Sequence, residues 1–140
     1  MLFVILALGL GLSYANAQKI KEANLPAPVK ETLYKKYSDL KHYSLEKEGA
    51  NYELVFEQNE TEVSVIIDKE GNVLEVETEI KIADLPKAVS EYVTKNYPNR
   101  SIREASKITN PKGDLTFEAE IKEGDLIFDS NGVFIKINTK

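Results

Sequence analysis

The chain reads as an α+β protein in which one helix is followed by a four-stranded antiparallel meander, with the whole unit occurring twice in tandem. Three observations predict this. Marks recur in the same order along the chain, each copy opens with apolar residues at helical spacing, and the remainder alternates with period two.

The recurrence is ordered. Leu25-Pro26 and Val29 return as Leu85-Pro86 and Val89, and Tyr37-Ser38-Asp39 returns as Tyr97-Pro98-Asn99. Tyr52-Glu53-Leu54 answers Phe117-Glu118-Ala119, and Asp68-x-x-Gly71 answers Asp129-x-x-Gly132. Each copy opens with a helix. Leu25, Val29, Leu33 and Tyr37 lie four apart, as do Leu85, Val89, Val93 and Tyr97, which gives each helix one apolar stripe. Pro26, Pro28 and Pro86 fall in first turns, where a missing N–H costs nothing, and Asn24 and Asp84 are the expected caps.

Strands are expected near His42–Lys47, Tyr52–Gln58, Thr61–Asp68 and Val73–Ile82, then Ile102–Ile108, Leu115–Lys122, Leu126–Asp129 and Val133–Asn138. The turns between them are short and rich in Gly, Asn and Asp, which forces antiparallel pairing. Alternation assigns Tyr43, Leu45, Tyr52, Leu54, Phe56, Val63, Val65, Ile67, Leu74, Val76 and Ile80 to the face under the first helix. Leu115, Phe117, Ala119, Ile121, Leu126, Phe128, Val133, Ile135 and Ile137 are assigned to the face under the second.

Ahead of the first helix, Leu2 to Leu12 is an uninterrupted apolar and glycine run followed by Ser13-Tyr14-Ala15-Asn16-Ala17. It is too short for the roughly 20 residues that span a bilayer and suits a signal-peptide core. Ala15-x-Ala17 places cleavage before Gln18; no Lys or Arg precedes the run, a departure from the usual pattern. The expected organisation is therefore a signal peptide over 1–17 and units over 18–82 and 83–140 that form one continuous domain. A mature form that does not span the membrane and is periplasmic or secreted follows from the same reading.

Composition excludes more than it implies. The 140 residues include no Cys and no Trp, and one His, His42. Thiol nucleophiles, disulfides, Cys-ligated metals and sites needing two imidazoles are excluded. The net charge of −5 supplies none of the phosphate-neutralising attraction on which nucleic-acid binding rests.

The Leu-Pro-x-x-Val helices, Tyr52-Glu53 or Phe117-Glu118 on a strand, and Asp68-Lys69-Glu70-Gly71-Asn72 or Asp129-Ser130-Asn131-Gly132 together resemble the PepSY-like family, also called β-lactamase-inhibitor-like. The resemblance covers nearly all of residues 24–138. It implies a helix lying across an antiparallel sheet, repeated, in an exported bacterial protein with no catalytic residue to carry over. The wider PepSY group includes propeptide segments of secreted metallopeptidases, with inhibition or chaperoning as the suspected role.

Candidate sites are few. His42 and Ser44 point to one side of a strand with no orienting carboxylate or oxyanion turn, so His42 reads as a solvent-facing residue. Asp129-Ser130-Asn131-Gly132 lacks the distal bidentate Glu of a calcium loop and reads as a hairpin turn. Asn59-Glu60-Thr61 and Asn99-Arg100-Ser101 match the glycosylation sequon incidentally. No catalytic residue, metal or cofactor is expected.

The sheet face turned away from the helices carries the most information. Glu53, Glu57, Glu75, Glu77, Glu118 and Glu120 lie there among Val55 and Ile66, while Lys30, Lys35, Lys36, Lys87 and Lys95 are on the helices. Glycosidase chemistry would need such carboxylates in a cleft rather than on an open sheet. Two readings stand: a solvated face whose charges block aggregation, and a binding surface for a protein or peptide with an apolar centre and an acidic rim. The function expected is that of an exported, non-enzymatic binding protein, an inhibitor or modulator of an extracytoplasmic enzyme such as a peptidase. The alternative is an envelope sensor or a cation or small-ligand binder that uses the acidic face.

Overall fold

Alternating apolar residues joined by tight turns produce nine strands, and the computed structural model describes residues 17–139. They are β1 (Gln18–Lys19), β2 (Tyr43–Glu48), β3 (Asn51–Gln58), β4 (Thr61–Ile67), β5 (Val73–Ile80), β6 (Glu104–Thr109), β7 (Leu115–Ile121), β8 (Gly124–Asp129) and β9 (Phe134–Thr139). Two helices of 10 residues each, α1 (Ala27–Lys36) and α2 (Lys87–Asn96), complete the regular structure, each preceded by a 3-10 turn, Glu22–Asn24 or Ile82–Asp84. The leader expected over 1–17 lies, except for Ala17, outside the described residues. Among the described residues no helix is long and apolar enough to cross a membrane.

The expected tandem of helix-plus-four-strand meanders is corrected. The strands form a single nine-stranded antiparallel sheet in sequential order from β1 to β9, and the fold is mostly β. The finding that overturns the two-meander picture is the β5–β6 ladder, in which Val76 faces Thr109 and Ile80 faces Ala105. A meander ending at β5 would leave a row of unpaired backbone donors and acceptors. The connection through α2 instead returns the chain antiparallel to β5, and the hydrogen bonding continues without a break.

Both helices cover one side of this sheet. Val29 and Leu33 of α1, with Leu25 ahead of it, pack on Leu45, Leu54, Phe56, Val65 and Ile67. Val89 and Val93 of α2, with Leu85, pack on Ala105, Ala119, Ile121, Leu126 and Phe128. At roughly 1.5–3 kcal/mol per buried aliphatic or aromatic side chain, these two clusters carry most of the fold's stabilisation. Neither helix has a side-chain cap. Pro26 and Pro86 occupy the N-cap positions, and Asn24 and Asp84 sit in the 3-10 turns, so the expected capping is also corrected. The helices stop where the N–H of Tyr37 reaches the Leu33 carbonyl at 2.9 Å and that of Tyr97 reaches Val93 at 2.8 Å.

Three hairpins at one end of the sheet share a loop. Asp68 Oδ1 accepts from the amides of Glu70 and Asn72, Asn110 Oδ1 from Lys112 and Asp114, and Asp129 Oδ1 from Asn131 and Val133, all at 2.9–3.0 Å. Two of these loops also dock the helices. Gly71 has φ +88°, and a Cβ there would stand 2.6 Å from the Pro28 carbonyl oxygen, while Thr32 Oγ1 donates to the Gly71 oxygen at 2.6 Å. The Asp-x-x-Gly pattern is thus a turn signal and a helix seat together.

Two β-bulges shift the side-chain alternation. Ile66 faces Glu75 while Ile67 faces Val73, which leaves Leu74 as the extra residue; Ile127 faces Lys136 while Phe128 faces Phe134, which leaves Ile135 over. In consequence Val73 and Phe134 pack beneath the helices in place of Leu74 and Ile135. Val133 and Ile135, expected inside, are 60% and 51% exposed.

Candidate functional site

The side of the sheet away from the helices is defined by cross-strand register, and all eight predicted residues fall on it. One row runs Glu46, Glu53, Ile66, Glu75 across β2 to β5, and the next runs Val55, Ser64, Glu77, Ile108, Thr116 across β3 to β7. Glu79, Ser106, Glu118 and Ile127 form a third row, and Glu104, Glu120 and Asp125 a fourth. Glu57 lies opposite Glu62 at the turn end of β3. Every strand from β2 to β8 therefore places at least one carboxylate on this face. Within the strands its only basic residues are Lys19 and Lys136, one near each edge of the sheet.

The face differs from the expected open surface at its centre. Glu53 is 1% exposed, Asp125 0%, Glu118 6% and Ser64 4%, and Ile108 and Ile127 form a small buried apolar cluster of their own. Val55, Ile66, Glu75, Glu77 and Glu120 are part-buried, and Glu57 and Glu79 are exposed. The acidic rim is as expected, but buried carboxyl groups share the centre with the apolar residues. No described helix covers this side. The Asp125 carboxylate acts on Glu77 and the Lys136 ammonium on Glu75, although β8 lies three strands and β9 four strands from β5.

Burial on this face sets the electrostatics. Glu53 is pushed up to about 7, chiefly by desolvation, against the Ser64 hydroxyl, which donates to its Oε1 at 2.5 Å; Glu48, Glu46 and Glu62 add to the upward push. Desolvation likewise pushes Glu77 up to about 8, opposed by a hydrogen bond from Ser106 and reinforced by Glu53, Glu75 and Asp125. Glu62 is raised by burial and by Glu79, Glu104 and Glu57. Glu75 is raised by burial, with Lys136 pulling the other way.

Glu53 and Asp125 lack the solvent contact through which a substrate would reach them. His42 is exposed just ahead of β2, and the Ser64 hydroxyl is committed to a carboxyl group rather than to a base. Among the described residues no group of three or more His, Asp or Glu is placed to hold a metal ion. Sequence reasoning missed Asp125, Ser64, Ser106 and Ile108. Asp125 was expected in a turn beside Gly124; counting back two from Ile127 along the strand would have put it on this face.

The fold and the family agree with known proteins. A family model described as "Putative beta-lactamase-inhibitor-like, PepSY-like" matches residues 13–75 and again 68–136. No curated protein matches the chain. Among solved structures, a Bacteroides eggerthii protein described as "putative periplasmic" is similar at TM-score 0.70 and 14% identity, over 82% of this chain and 88% of that one. A DUF2874 family protein of Bacteroides uniformis is similar at TM-score 0.69 and 18% identity, over 81% and 88%. A BLIP-like protein of Bacteroides fragilis is similar at TM-score 0.62 and 24% identity, over 81% and 86%. At these identities the likeness is one of fold.

Proposed function

The chain belongs to the PepSY-like family, and from that premise we propose that it is an exported, non-enzymatic protein that binds a protein or peptide through the helix-free face of its sheet. It acts there as an inhibitor or modulator of an extracytoplasmic enzyme such as a peptidase. The observation that carries the reading is the face itself: a surface spanning β2 to β8, uncovered by either helix, with Val55 and Ile66 set among carboxylates. The β-lactamase-inhibitor-like description of the family and the BLIP-like description of one structural relative support it. The apolar leader ending in Ala15-Asn16-Ala17, together with the periplasmic description of another relative, supports a periplasmic location.

The test is capture of a partner from periplasmic extract by the tagged mature protein. Joint Val55→Lys and Ile66→Lys substitution removes the captured protein, while Lys35→Glu on the exposed side of α1 leaves it in place. Capture unchanged by the β3–β4 pair moves the binding surface elsewhere.

A further inference from the structure

The two edges of the sheet are not alike. At the first, β1 lies against β2, with Gln18 opposite Lys47 and Lys19 opposite Glu46, and the Ile20 amide donates to the Leu45 carbonyl at 3.0 Å. At the second, β9 has β8 on one side and, among the described residues, no strand on the other. The outward backbone groups of residues 134–138 are a template for one more strand. Each strand from β2 to β8 contains at least one Asp or Glu, whereas β9 contains neither, and its one charged residue is Lys136. Val133, just ahead of β9, and Ile135 within it are two of the four large apolar side chains left exposed among the described residues.

The internal repeat shows what such an edge accepts. Each Asp-x-x-Gly turn is followed by a bulge, at Leu74 in β5 and at Ile135 in β9, so Val76 and Glu77 correspond to Ile137 and Asn138. On β5 those two positions face Thr109 and Ile108 of β6. The counterpart of β6 in the first repeat is β2, since Leu45 opposite Leu54 answers Ala105 opposite Ala119. In any second copy, however, β1 and Ile20 already occupy β2 at Leu45, Glu46 and Lys47, the counterparts of the β6 residues that take β5. Head-to-tail addition is blocked there. Another β9 is the complement that remains.

We propose that two copies of the chain join edge to edge through β9, antiparallel about a two-fold axis, into one continuous sheet. Residues directly opposite in such a ladder lie on the same face, which restricts the register. Ile137 opposite its own copy meets that condition and sets Lys136 of each chain opposite Asn138 of the other. Lys136 opposite its own copy would instead oppose like charges. A contact that uses the same strand twice closes at two chains. Both helix-free faces then lie on one side, so the dimer doubles that surface. The contact forms whether or not the face binds a partner, so its failure and that of the binding reading are separable.

Sedimentation equilibrium of the mature protein across a range of concentrations tests it. The expected mass rises from one chain to two and no further; a mass of one chain throughout, or one that climbs past two, overturns the proposal. Ile135→Lys, at an exposed position, is expected to hold the protein at one chain where the unmodified protein is double, and Lys35→Glu on α1 to change nothing. A dimer that survives Ile135→Lys overturns the proposal. The charge pair reads the register. Asn138→Lys sets two ammonium groups against each other and loses the dimer, and Lys136→Glu added to it restores the dimer. A misfolded variant would not be rescued in this way, and absence of rescue overturns the β9 pairing.

Discussion

Replacing Glu53 by Gln removes one ionisable group from the buried centre while keeping size and an acceptor for the Ser64 hydroxyl. The carboxyl moves from an ordinary 4.5 to about 7 on folding. At about 1.36 kcal/mol per unit, the raised proton affinity lowers stability by about 3 kcal/mol at pH 8 and by under about 1 kcal/mol at pH 5. The Gln amide forgoes that cost, although its hydrogen bond with Ser64 is weaker by up to about 1 kcal/mol. Glu53→Gln is therefore expected to raise stability by about 1–3 kcal/mol at pH 8 and to be neutral or slightly destabilising at pH 5. Urea unfolding followed by far-ultraviolet circular dichroism at the two pH values measures it. The same change in stability at both pH values would refute the reasoning, because only a buried group that titrates between them makes the effect pH-dependent.

Other consequences follow from the same geometry. For the whole protein, the raised carboxyls Glu53 and Glu77 contribute stability that is full below their ordinary 4.5 and lost as pH rises through about 7 and 8. The lowered carboxyls Asp68 and Glu123 act in the opposite sense, losing their contribution as pH falls below the carboxylate range. The melting temperature is thus expected to peak at about pH 5–6 and decline toward pH 9, and a scanning calorimetry series that instead climbs from pH 6 to 8 contradicts it. Leu33→Ala, at 3% exposure on the inner side of α1, costs about 2–5 kcal/mol by urea unfolding; a loss under 1 kcal/mol would mean that α1 does not pack on the sheet as described. Gly71→Ala and Gly113→Ala share a positive φ, but only the first drives a Cβ into the Pro28 carbonyl. Gly113→Ala should cost about 1 kcal/mol and Gly71→Ala clearly more, so equal losses would remove the helix-seat role of the β4–β5 loop.

Much of this was legible in the residues, and the failures have physical causes. The helices were legible because Leu25, Val29 and Leu33 repeat at a spacing that only a helix turns to one side. The eight longer strands were legible because polar residues alternate with apolar ones. The single sheet was not, since nothing in β5 or β6 says which strand lies on the other side of its ladder. Pairing across the α2 connection is a tertiary choice. The bulges escaped because Val73-Leu74 and Val133-Phe134-Ile135 are apolar runs, in which a slip of one residue leaves the pattern unchanged. Strand β1, only Gln18–Lys19, is too short and too polar to carry a period. On the helix-free face, register predicted which residues share a side but not how deep they lie. Glu53 and Glu57 have the same parity, yet Glu53 is buried and Glu57, at the turn end of β3, is exposed, because depth is a property of the assembled sheet rather than of any strand.

The central claim is that the helix-free face is the working surface of the molecule. Carbodiimide labelling of carboxylates with mass-spectrometric readout tests it in one experiment, performed on the mature protein with and without periplasmic extract. Glu57, Glu79 and Glu104 are exposed on that face, and Glu31 and Glu91 are exposed on the helices. The account predicts that extract suppresses labelling of the first three and spares the last two. Protection of Glu31 and Glu91 with Glu57, Glu79 and Glu104 still labelled would place the working surface on the helices and contradict it.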